Sequence, residues 1–75
     1  MKNTLLIRLL RAEGALTRLL GVADRRGYPP VLVSASPLNA HSFLVHLTVH
    51  GEKPIEKLVH QFEKLYDVES VEYPS

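Results

Sequence analysis

The residues able to carry chemistry in this chain are few. His41, His46, His50 and His60 are the candidates for metal or proton work. His46 and His50 share one face of a strand-like stretch, but four residues along a strand span about 13 Å. A metal ion holds its ligands at about 2 Å, so that pair alone cannot chelate one. There is no cysteine, which removes thiolate ligands, disulfides and a thiol nucleophile. Ser34, Ser36 and Ser42 lack the strand-to-helix elbow that activates a serine. Glu52, Glu56 and Glu63 interleave with Lys53, Lys57 and Lys64 and read as solvated helix-surface partners. No catalytic residue, metal ligand or cofactor is assigned, and the chain is expected not to be an enzyme.

One feature points to binding instead. In "RAEGALTRLL" a polar corner leads through Gly14 into a helical pattern. A helix N-terminus has backbone N–H groups without intrahelical acceptors, placed here at Gly14, Ala15 and Leu16. Such an end attracts a carboxylate or phosphate, and glycine allows close approach of a ligand to the backbone. Gly14, Ala15 and Leu16 are therefore the candidate ligand-binding residues. Turn geometry alone would also explain the glycine.

Those residues must be held by a small domain. The chain has 75 residues and a net charge of +1, read as one domain over residues 1–75. A domain of this size buries only about 60% of the surface its unfolded chain exposes, so a partner covering apolar surface would help. A charge near zero gives no strong field for DNA or RNA. The apolar runs fall far short of the ~20 residues needed to span a bilayer. Arg8 and Arg11 interrupt the N-terminal apolar stretch and no small-residue cleavage site follows it, so it reads as a strand and not a signal peptide. A cytoplasmic location and no membrane partner are expected.

The periodicities define six elements. In residues 3–10, Leu5, Ile7 and Leu9 alternate with Leu6, Arg8 and Leu10, predicting a strand with two partly apolar faces. From Ala15 the period changes: Leu16, Leu19, Leu20 and Ala23 form a helical stripe. Arg25 and Arg26 suit the end of that helix, Gly27 suits its left-handed stop, and Pro29 and Pro30 prevent a restart. Residues 31–36 alternate as a strand, with Val31, Val33 and Ala35 on one side. Residues 43–50 alternate more clearly, with Phe43, Val45, Leu47 and Val49 facing in. The polar link between the two strands predicts an antiparallel hairpin. Pro54 fits a helix start, and Ile55, Leu58, Val59, Phe62, Leu65 and Tyr66 form the stripe of a second helix closed by Asp67. Residues 68–73 make a short last strand. The order βαββαβ is the ferredoxin-like plan: an α+β fold with a four-stranded antiparallel sheet and two helices on one face.

The other face would then carry Leu6, Leu10, Leu32 and Leu44, a patch that favours association. It does not carry the stacking aromatics of an RNA-binding sheet, because Phe43 falls on the helix side. No nucleic-acid partner is expected.

The stretch "RAEGALTRLLGVADRRGY" resembles the opening of an ACT domain. It is most similar to the small regulatory subunits of acetohydroxyacid synthase (acetolactate synthase), whose pattern is Asn-x-Pro-Gly-Val-Leu, a helix, then Arg-Arg-Gly-Tyr. Gly14 and Leu16 match the first part, and Arg25, Arg26, Gly27 and Tyr28 the second. The resemblance implies a non-catalytic subunit that binds and activates the thiamine-diphosphate-dependent catalytic subunit in valine, leucine and isoleucine biosynthesis. It also implies a homodimer and a branched-chain amino acid as effector. Arg11 stands in place of the family's Asn, which often helps hold the effector, so the resemblance adds Arg11 to Gly14, Ala15 and Leu16 as candidate effector-binding residues. Glu13 stands in place of the family's Pro, and Pro29 follows Tyr28 where Asn is frequent. With these departures, valine feedback is expected to be weak or absent, as in the short single-domain members. The alternative is a stand-alone ACT-type amino-acid-binding regulator of another enzyme or a transcription factor.

Overall fold

A computed structural model describes residues 1–73. The chain runs β1 (Lys2–Leu10), α1 (Ala15–Arg25), β2 (Pro30–Pro37), β3 (Ser42–His50), α2 (Ile55–Glu63) and β4 (Val68–Glu72). The strands form one sheet in the order β2-β3-β1-β4, each neighbouring pair antiparallel. This is the expected ferredoxin-like arrangement.

Alternation decides which side of the sheet is buried. Leu5 pairs with Leu47 and Ile7 with Val45, and all four are fully buried. Leu19 and Ala23 of α1 and Leu58 and Phe62 of α2 close over that face, each with no exposed surface. Branched and aromatic side chains at period two meet leucine and phenylalanine at helical period, and each apolar face is removed from water by the other. On the opposite face, Leu6, Leu10 and Leu44 are half-buried and Leu32 is 65% exposed. The patch is less continuous than the pattern implied. Leu6 stands opposite His46, Leu44 lies between Arg8 and Ser36, and Leu32 faces Thr48. Thr48 and Thr4 share a hydrogen bond of 2.9 Å between their hydroxyls on that face.

Three details depart from the periodic reading. Tyr66 is not on the core stripe of α2; it is 89% exposed. The helix ends at Glu63 and the chain turns through residues 64–67, with Leu65 N–H on the Phe62 carbonyl and Val68 N–H on the Leu65 carbonyl. The helical period therefore stops before it reaches Tyr66. In β4, Val68 pairs with Leu9 and Val71 with Ile7, three residues apart but on one face, because Glu69 is an extra residue in the ladder. In β2, Val31 is likewise extra, between Pro30 opposite Val49 and Leu32 opposite Thr48. Only Pro30 and Val33 of β2 are even half-buried, as befits an edge strand.

Candidate functional site

The turn between β1 and α1 is built almost wholly from backbone bonds. Arg11 N–H donates to the His41 carbonyl at 2.8 Å and Ala12 N–H to the Leu10 carbonyl at 2.9 Å. Gly14 then takes the left-handed conformation, φ 75° and ψ 4°, at the N-cap of α1. Its carbonyl accepts from Arg18 N–H at 2.9 Å, the first helical bond. Being glycine, it offers no side chain to cap the turn. The Ala15 amide is already used, donating to the Ala12 carbonyl at 3.1 Å. Among the described residues, the amides of Gly14, Leu16 and Thr17 have no backbone acceptor. The free donors thus fall at Leu16 and Thr17 as well as Gly14, and not at Ala15, because the tight turn closes on that amide.

These groups border a cavity of about 210 Å³. Ala12, Gly14, Ala15, Leu16 and Thr17 form its rim, Leu9, Phe43 and Val45 its floor, and Ala35 of the edge strand a side wall. Drug-sized ligands occupy roughly 300–1,000 Å³, so this space suits a molecule of a few heavy atoms. Backbone N–H donors beside an apolar floor match a carboxylate attached to a short aliphatic body.

Arg11 stands next to the cavity without lining it. Its guanidinium lies over the Phe43 ring, 4.7 Å from the centroid, and Nη1 reaches the Asn39 carbonyl at 3.5 Å. A cation over an aromatic face is attracted by the ring quadrupole. Arg11 is therefore occupied by Phe43 and Asn39 and makes no ion pair with Glu13. The helix mouth also carries a second cation, Arg18 of the first turn of α1. A Cβ on Gly14 would lie 2.9 Å from Arg18 Nη1. The same guanidinium donates through Nε to Asp67 Oδ2 at 2.8 Å, and its Nη2 lies 2.7 Å from that oxygen. Asp67 is buried in the α2–β4 turn, so the first turn of α1 is tied to an element 49 residues away. No local signal in the sequence marks that pair.

The far end of α1 follows the sequence closely. Gly27 has φ 89°, with Gly27 N–H on the Asp24 carbonyl and Tyr28 N–H on the Ala23 carbonyl. This is the paired-bond stop in which a left-handed glycine lets two later amides satisfy the last carbonyls. Tyr28 is buried behind it, and its hydroxyl donates to the Pro54 carbonyl at 2.8 Å. Burial, and next the charge of Glu56, raise the Tyr28 pKa above its ordinary value. The histidines are exposed and distributed over the β2–β3 turn, β3 and α2. Among the described residues no group of three or more metal-ligating side chains comes together.

Residues 11–71 match the ACT domain family, from the turn before α1 through Val71 of β4. The chain belongs to the ACT domain family. Within it, this ACT domain is 33% identical over 70 residues to the acetolactate synthase small subunit of Buchnera aphidicola subsp. Schizaphis graminum (strain Sg). That alignment covers 91% of this chain and 44% of the relative. The chain thus spans less than half the length of that small subunit. No helix among the described residues is long and apolar enough to cross a membrane.

Proposed function

We propose that this ACT domain serves as a regulatory, non-catalytic partner of an acetohydroxyacid synthase catalytic subunit, binding it and raising its activity. The observation that carries the reading is the identity with a protein named as an acetolactate synthase small subunit over 91% of this chain. The Arg25–Tyr28 helix stop supports it, since those residues match that family's pattern and build the end of α1. The catalytic subunit would supply the thiamine diphosphate, and this chain would hold no cofactor of its own.

A branched-chain amino acid fits the cavity at the mouth of α1, its carboxylate on the amides of Leu16 and Thr17 and its aliphatic part over Leu9 and Val45. Binding there is weak in this reading. Arg11 is held on Phe43, and Glu13 brings a negative charge next to the carboxylate position. The exposed edge of β2, with Val31 and Leu32 both more than half accessible, supports pairing with a second copy. The proposed setting is the cytoplasm.

The test is reconstitution with the catalytic subunit from the same source, following acetolactate formed from pyruvate. Turnover should rise with added chain until the subunit is saturated, and valine should depress it little. Unchanged turnover over a broad concentration range would remove the synthase assignment and leave a stand-alone amino-acid-binding regulator.

A further inference from the structure

The helix mouth uses only one end of α1. The other end, about 16 Å away along an 11-residue helix, opens onto a separate cleft of about 190 Å³. Arg26, Tyr28, Lys53, Lys57 and Gln61 line it. Arg26 caps α1, Lys53 precedes α2, and Lys57 and Gln61 follow on successive turns of α2, so three cations converge from separate parts of the chain. Lys53 Nζ is directed to that end of α1, 3.5 Å from the Arg26 carbonyl. Among the described residues none of the three cations has an ion-pair partner, and no acidic side chain lines the cleft. Tyr28 closes one wall and its hydroxyl is committed to Pro54, so it adds surface and no charge.

We propose that this cleft is a second ligand site, for the phosphate group of a small molecule. A carboxylate would neutralise one of the three charges. A dianionic tetrahedral group can take donors from Arg26, Lys53, Lys57 and the Gln61 amide at once, and charge-assisted bonds of that kind are the strong ones. The site is independent of the amino-acid reading of the helix mouth and of any catalytic partner.

The experiment uses the full chain with sodium pyrophosphate, and separately orthophosphate, at physiological ionic strength, followed by amide chemical shifts and calorimetry. Saturable binding is expected, with shifts at Arg26, Lys53, Lys57 and Gln61 and none at Leu16 or Thr17. Lys57→Gln should weaken it about tenfold, whereas Lys64→Gln, just past the end of that helix and outside the cleft, should leave it unchanged. Saturation by both anions would assign a site for a single phosphate group, and by pyrophosphate alone a site for a diphosphate ester. Failure of both anions to saturate, equal loss in Lys64→Gln, or citrate binding as tightly as pyrophosphate would each overturn the proposal. Because the readout is binding to the chain alone, it stands or falls separately from activation of a synthase.

Discussion

Replacing Gly14 by alanine tests the physical account of the helix mouth. Gly14 has φ 75°, and a residue with a Cβ in the left-handed region costs about 1–2 kcal/mol. The new methyl would also lie 2.9 Å from Arg18 Nη1. An arginine end is normally free to move aside, but this one is anchored on the buried Asp67. The Arg18 side chain is 51% exposed, so solvent screening holds the anchored pair to about 1 kcal/mol. Together the loss is about 2–3 kcal/mol, against a total of roughly 4–11 kcal/mol for a typical domain of this length. Urea denaturation of Gly14→Ala, Arg18→Ala and the double variant separates the two parts. In the Arg18→Ala background the collision is absent and Gly14→Ala should cost only the conformational 1–2 kcal/mol. The cycle should show a coupling of about 1 kcal/mol. Equal costs in the two backgrounds would refute the steric argument, and a negligible cost with Arg18 removed would refute the conformational one.

Further outcomes are expected elsewhere in the fold. Phe62 is fully buried, so Phe62→Ala should lose about 3–5 kcal/mol, seen as a much lower or absent thermal transition by circular dichroism. The Tyr28 pKa is raised above its ordinary 10.0 by burial and by Glu56. The folded state then keeps its proton where the unfolded state releases it, so stability holds below about pH 10 and falls as pH rises from there through the folded pKa. Urea midpoints across that range should fall, and Tyr28→Phe should reduce the slope while costing about 1 kcal/mol at neutral pH through the lost bond to Pro54.

Much of this architecture is legible in the sequence because each element keeps its own period. The buried faces of Leu5, Ile7, Leu9 and of Val45, Leu47, Val49 follow from alternation, and the stop at Gly27 follows from the one residue type that takes a left-handed turn freely. The misses have a common cause. A periodic pattern has no sign for an inserted residue, so the extra Val31 and Glu69 were invisible and Val68 and Val71 came to share a face. Nor does it show where hydrogen bonding ends a helix, which is why Tyr66 reads as core and lies in water. At the helix mouth Gly14 was readable. The Arg18–Asp67 pair was not, since it joins positions 49 residues apart. Ala35 as a cavity wall also depends on how an edge strand lies over a helix start. The three cations of the second cleft were readable only as separate surface charges.

The placement of β1 has a consequence for how the chain can be made and cut. The first strand in the sequence is not peripheral; it lies between β3 and β4, and its residues Lys2 to Leu10 pair with His50 to Ser42. Its main partner is therefore synthesised last among the first three strands, and the central ladder must close a long loop before it gains any bonds. Such non-local pairing slows folding, and a nascent chain that has not yet reached β3 carries an unpaired leucine-rich strand that a chaperone or another copy could capture. Shortening the chain at its start would not trim an edge. It would leave the β2–β3 hairpin and β4 with no strand between them.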